Sequence, residues 1–355
     1  MTTESDEKQR SGKLSTRTVL ALVFLCVAVF FIVYNPSKKE DRIIEKEYVT
    51  LQGLVFGTIY HITYSQPGDD SMQPVVDAAT AAVNDALSMF NPETTISKVN
   101  AASTQFETDD ALFLKVLRVG RDVSAATGGA FDMTVAPLVD LWGFGLKNRQ
   151  QVSAAQIDSV MKYIGYEKII EHDGVIEKLH PSVRLDASAI AKGYACDVVL
   201  DSLLAHGCTD ACVEIGGEVA VAGTNPKGKP WRIGINKPVD DSLSVQSEVY
   251  RVASLVGKGM ATSGNYRNYY ELDGKKFSHT INPHSGRPVM HNLLSATVVA
   301  PDCMTADAWA TACMVVGLDS ARVLVQLQPQ LDAFFIYDSA GVMCTWSTAS
   351  FPIQK

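Results

Sequence analysis

The stretch Ala211-Cys-Val-Glu-Ile-Gly216-Gly217-Glu-Val-Ala-Val-Ala222 decides the fold class. It reads as two short strands folded about a Gly-Gly pair, and a loop this short joins antiparallel neighbours only. The same reading extends outward. Lys227-Gly228-Lys229-Pro230 is a turn that leads into a strand over Trp231–Ile235. Phe277–Ile281 and Leu294–Ala300 read as further strands, and Leu331–Tyr337 with Val342–Trp346 as a closing hairpin. Toward the N-terminus, Tyr48–Tyr64 alternates in strand fashion, interrupted at Gly53 and Gly57.

Helical spacing punctuates these strands. Val76, Ala79, Val83, Leu87 and Phe90 recur at a helical period that ends at Asn91-Pro92. Leu112, Val116, Val119, Val123 and Ala126 do the same, with Asp109 or Asp110 as the cap and Gly128-Gly129 as the stop. A third helix is expected over Asp186–His206, closed by Gly207, and a fourth over Asp302–Gly317. Grouped strands with hairpin turns and a few long helices predict an α+β fold with mainly antiparallel strands, not a doubly wound parallel sheet.

A chain of 355 residues can bury a full core. Its net charge of −8, without a basic stripe, zinc-finger spacing or RNA-binding signature, argues against a nucleic-acid partner. Val19–Tyr34 is an unbroken apolar run behind a polar tail carrying Lys8, Arg10, Lys13 and Arg17. No small-x-small cleavage site follows it, and Phe24-Leu25 before Cys26 is a poor lipoprotein context. An uncleaved single-span anchor is therefore preferred to a cleaved signal. The expected organisation is a polar tail over 1–17, a transmembrane anchor over 18–34, a charged linker over 35–49 and one domain over 50–355. Lysine and arginine are balanced across the run, so they set no orientation. Of seven cysteines, Cys208 and Cys212 lie near His206, but their spacing is wrong for a zinc knuckle and they read as small buried side chains.

Several segments carry candidate chemistry. Asp307 and Thr311 sit at i and i+4 on one face of an apolar helix. A carboxylate and a hydroxyl so placed suit a hard divalent cation such as Mg²⁺, and also read as a plain polar contact. Asp186-Ala-Ser-Ala-Ile-Ala-Lys192 begins the third helix with small residues, where backbone amides and a lysine favour an anion; a tightly packed helix start reads equally well. Gly128-Gly129-Ala130-Phe131-Asp132, with Leu141-Trp142-Gly143-Phe144 beyond it, suits a flat heterocycle or loop packing. His279, at a strand end, is the side chain best fitted to take a proton near neutral pH.

Five ordered blocks then carry a resemblance. They are G-G-A-F-D-M-T-V-A-P-L-V-D-L-W-G-F-G from Gly128, D-A-S-A-I-A-K-G-Y-A from Asp186 and A-T-S-G-N-Y-R-N-Y-Y-E-L-D-G-K from Ala261, followed by S-H-T-I-N-P-H-S-G-R-P from Ser278 and T-A-D-A-W-A-T from Thr305. Together, from about Gly57 to the C-terminal strands, the chain resembles the FAD:protein FMN transferases, formerly described as thiamine-biosynthesis lipoproteins.

The resemblance implies a T-fold-like core and Mg²⁺ held by Asp307, Thr311 and the main-chain oxygen of Ala189. It implies FAD contacts from Phe56, Phe90, Ala130, Phe131, Asp132, Asp186, Lys192 and Ile281, with His279 as general base. The implied reaction moves the FMN moiety of FAD to a threonine hydroxyl and releases AMP. The alternatives are FAD pyrophosphatase activity or non-catalytic flavin binding at the membrane. Implied acceptors are subunits of membrane electron-transport complexes of the sodium-pumping NADH:quinone reductase type, and the implied location is the periplasmic side of a bacterial inner membrane. Against the commoner family pattern, Asn282 stands for Asp, Ala187 and Ser188 for Leu or Gly, and Ala310 for a residue that is often polar.

Overall fold

A computed structural model describes residues 46–144, 152–238, 248–265, 269–272 and 275–354, together with Arg17. The expected anchor and most of the linker lie outside the described residues. Among the described residues no helix is long and apolar enough to cross a membrane.

Eight strands build the main sheet: β1 (Tyr48–Val55), β2 (Thr58–Ser65), β3 (Ala211–Ile215), β4 (Glu218–Ala222), β5 (Gly259–Gly264), β6 (Leu293–Ala300), β7 (Asp332–Ser339) and β8 (Val342–Ser347). Their order in space is their order in the chain, and every neighbouring pair is antiparallel. The Gly216-Gly217 reading is borne out, since β3 and β4 pair from Ala211–Ala222 inward to Ile215–Glu218. The fold is α+β with mainly antiparallel strands, as the sequence predicts.

Helices fill the excursions between strands. Among the described residues six lie between β2 and β3: α1 (Gln73–Leu87), α2 (Thr95–Ala101), α3 (Ala111–Ala126), α4 (Ala136–Leu141), α5 (Ala154–Met161) and α6 (Ala191–Ala205). Two more, α7 (Cys303–Val316) and α8 (Leu318–Gln326), join β6 to β7. Asp110 is the cap of α3, accepting from the amides of Leu112 and Phe113, and Asp302 caps α7 through the Thr305 amide. Each such cap is worth about 1 kcal/mol.

The two-residue period of the central strands sorts side chains between two cores. Ala220, Ala261, Ala296 and Ala333 face the helices, and Val219, Val221, Met260, Val299, Phe334 and Ile336 face the other way. Small residues on the helix side let α7, with Ala306, Ala308, Ala310 and Ala312 buried, lie close to the sheet. The opposite face is covered by a hairpin of Trp231–Asn236 and Val249–Leu255, whose Trp231, Ile235, Ala253 and Leu255 complete the second core. α7 is buried on nearly all sides, so Asp307 is a carboxylate set in an otherwise apolar helix.

Three expectations change. The third helix begins at Ala191, not Asp186, because the Asp186 carboxylate accepts from the Ser188 amide and holds residues 186–190 in a turn. The expected strand Phe277–Ile281 is two pieces: Lys275–Ser278 pairs with Tyr269–Leu272, and Ile281–Asn282 with Arg287–Pro288. Asn282 Oδ1 accepts from the amides of His284 and Ser285, which turns the chain there. α1 ends at Leu87, so Phe90 stands beyond the helix in an exposed loop.

Candidate functional site

Between the helix layer and the β1–β2 turn lies a cleft of about 910 Å³, near the upper end of the usual range for small-molecule sites of roughly 300–1,000 Å³. Every site residue predicted from the sequence lines it: Phe56, Phe90, Ala130, Phe131, Asp132, Asp186, Ala189, Lys192, His279, Ile281, Asp307 and Thr311. Segments more than 200 residues apart in sequence converge here.

The mouth and the floor differ in character. Phe56 and Phe90 are 37% and 80% exposed, whereas Ala130, Phe131 and Ile281 are buried in the wall. Phe56 and Gly57 form the two-residue loop of the β1–β2 hairpin, with φ of 51° and 72°. Positive φ at both loop positions is the twist-matched hairpin turn that normally recruits Asn-Gly, so a phenylalanine there is strained.

Asp132 does more locally than the sequence shows. It is buried, and its Oδ1 accepts from both the amide and the hydroxyl of Thr134. Burial pushes its acid upward against those bonds. Asp186 is likewise raised by burial, and its Oδ1 accepts from the Ser188 amide at 2.7 Å. Both carboxylates thus shape the loops that line the cleft.

The charged centre joins α6, β4 and α7. Asp307 Oδ2 accepts from the Gly193 amide at 3.0 Å, which leaves Oδ1 for a ligand in the cleft. Lys192 Nζ lies 3.2 Å from Glu218 Oε1 and 4.0 Å from Asp307 Oδ2. Burial opposes the ammonium charge, but Asp307 and then Glu218 outweigh it and hold the Lys192 pKa above its ordinary value. Glu218 is pushed up to about 7 by burial and by Asp307, against the pull of Lys192. Thr311 Oγ1 is within 3.2 Å of Ser263 Oγ.

Glu218 and Ser263 are the residues that reading the sequence missed. Glu218 follows Gly216-Gly217 at the start of a strand, where a glutamate reads as solvated. Standing two residues before Ala220 in β4, it shares that residue's helix side. Ser263 belongs to the A-T-S-G block, yet only the fold brings it to α7.

The donor set of Asp307 carboxylate, Thr311 hydroxyl and Ala189 carbonyl consists of hard oxygens, and no group of three or more His, Cys, Asp or Glu able to hold a metal occurs among the described residues. Such a set fits Mg²⁺, which retains waters and substrate phosphates. It does not fit a closed zinc site. The six described cysteines are free, and Cys196, Cys208, Cys303 and Cys313 are buried. Cys212, expected to be buried, is partly buried and packs against the second core.

A large cleft with apolar walls, an aromatic mouth and a lysine between two carboxylates defines an enzyme-like site for a dinucleotide-sized ligand. Comparison with known proteins specifies the class further. The ApbE family model matches residues 56–335, and the chain belongs to that family. It is similar to the FAD:protein FMN transferase of Escherichia coli (strain K12), with 32% identity over 343 residues covering 93% of this chain and 95% of the relative. The enzyme of that name from Vibrio cholerae serotype O1 is 36% identical over 313 residues, covering 86% and 92%. Among solved structures, the flavin transferase ApbE from Vibrio cholerae superposes with a TM-score of 0.77 at 33% identity, over 86% of this chain and 98% of that one.

Proposed function

We propose that this chain is a transferase that moves the FMN moiety of FAD onto an acceptor protein. The observation that carries the reading is the convergence of all the family-implied residues on one dinucleotide-sized cleft. Relatives spanning most of both chains bear the name FAD:protein FMN transferase.

The chain's own groups divide the work. Phe56 and Phe90 at the mouth, with Phe131 and Ile281 in the wall, offer apolar surface to an isoalloxazine ring. The turn over residues 186–190 and the N-terminus of α6 bring backbone amides and Lys192 to the diphosphate. Asp307, Thr311 and the Ala189 carbonyl would hold Mg²⁺, which supplies charge neutralisation at the diphosphate oxygens and eases departure of AMP. His279 removes the proton from a threonine hydroxyl on the acceptor, whose oxygen then attacks the FMN-side phosphorus. The P–O bond to AMP breaks, leaving FMN joined to threonine by a phosphoester.

The finer assignments belong to the same reading: a T-fold core, a membrane anchor over 18–34, a domain from residue 50 on the periplasmic side of a bacterial inner membrane, and acceptors among subunits of membrane electron-transport complexes. The test mixes the protein with FAD, Mg²⁺ and a threonine-bearing acceptor fragment. Flavin fluorescence on the acceptor band is the expected result. Free FMN without labelled acceptor would make the protein a pyrophosphatase, and unchanged FAD a flavin binder.

A further inference from the structure

Glu218 is 5% exposed, lines the cleft, and has one oxygen on Lys192 while its other, Oε2, has no hydrogen-bond partner. A buried carboxylate oxygen without a donor is costly, so a native site that keeps one has a use for it. The surroundings point to that use. The Lys192 ammonium is shared unequally by two carboxylates, nearer to Glu218 at 3.2 Å than to Asp307 at 4.0 Å.

A divalent cation at Asp307 repels that ammonium, which then needs a second acceptor away from α7. Glu218 Oε2 supplies one. Without Glu218, the ammonium's remaining carboxylate is Asp307 itself, and lysine and metal would compete for one ligand.

We infer that Glu218 is a positioning residue that sets divalent-cation affinity at Asp307 by holding the Lys192 ammonium off that carboxylate. The inference rests on Asp307 being a Mg²⁺ ligand, as proposed above. It makes Glu218 act through Lys192 and not through its own charge, and it predicts what each substitution does.

The test is calorimetric Mg²⁺ titration of the full-length chain without FAD, with melting curves as the control for folding. Glu218→Gln should weaken Mg²⁺ binding about ten-fold or more. Glu218→Asp, which keeps the charge but shortens the reach to Lys192, should weaken it in the same direction and carries the test if the glutamine variant does not fold. In a Lys192→Met background both substitutions should change Mg²⁺ affinity by less than about two-fold. Unaltered affinity in Glu218→Gln, or the same loss with and without Lys192, overturns the inference while leaving the metal site in place. A parent protein that binds no Mg²⁺ overturns both.

Discussion

The amide of Gly193 donates to Asp307 Oδ2 at 3.0 Å, and a Cβ built on Gly193 would lie 2.7 Å from the Asp307 Cβ and 2.4 Å from the Cys303 carbonyl oxygen. One missing methyl group therefore lets α6 and α7 touch, and that contact aims the buried carboxylate. The third and fourth predicted helices meet at the residue on which the proposed chemistry depends.

Gly193→Ala should force these helices apart. Over-packing of this kind costs about 1–3 kcal/mol, and here it also loosens the Gly193–Asp307 bond. The expected outcome is a lower Tm together with weaker Mg²⁺ binding, read by calorimetry at a temperature where the variant is folded. A variant with lower Tm and parental Mg²⁺ affinity would separate the helix contact from the aim of Asp307.

Removing the proposed base and the proposed metal ligand should produce different defects. His279→Ala keeps the walls of the cleft, so FAD should bind as in the parent while labelling of the acceptor slows by about 10²-fold or more, the usual contribution of a general base. Asp307→Ala should abolish turnover. Fluorescence titration with FAD and in-gel flavin labelling measure the two quantities separately. A His279→Ala protein that labels at the parental rate removes that residue from the mechanism.

Much of this architecture was legible because it rests on local rules. The Gly216-Gly217 hairpin, the cap at Asp109 or Asp110, which falls on Asp110, and the apolar periods of α1 and α3 are each written within a dozen or so residues. The placement of Asp307 and Thr311 on one face of α7 was legible for the same reason, being spaced one helical turn apart. What escaped depends on contacts between distant segments. α2, α4 and α5 are too short for a period to show. The start of α6 moved to Ala191 because a side chain, Asp186, competes for the backbone. Glu218 looks like any strand-end glutamate until sheet parity turns it toward α6.

Phe56 should exchange stability for binding. Its φ of 51° is a left-handed conformation that costs a non-glycine residue about 1–2 kcal/mol and that asparagine tolerates better. Phe56→Asn is therefore expected to raise Tm. It also removes an aromatic face from the mouth of the cleft, and an aromatic contact is worth about 0.5–1.5 kcal/mol, so FAD affinity should fall up to about ten-fold. Melting curves and FAD titration on the same preparation check both signs. A variant that melts higher and binds FAD undiminished would show that the strained phenylalanine has no part in flavin binding.

Asp197 gives the fold a dependence on pH that can be isolated. Half-buried where α6 meets α7, it accepts from the amides of Cys303 at 2.9 Å and Met304 at 2.8 Å. Desolvation pushes its acid up to about 7 against those two amides, with Asp302 and Asp201 adding to the rise. An unfolded aspartate titrates near about 3.9, so between these values the native protein holds a proton that the unfolded chain does not. Stability from this group is then fully present below the unfolded pKa and is lost as pH rises through the folded one. Asp197→Asn cannot titrate, and other raised carboxylates such as Glu218 are common to both proteins and cancel in the comparison. The Tm of the variant minus that of the parent should therefore decrease steadily as pH is lowered from 8 to 5. Parallel Tm curves over that range would mean that Asp197 stays ionised in the native protein, with the two amides outweighing its desolvation.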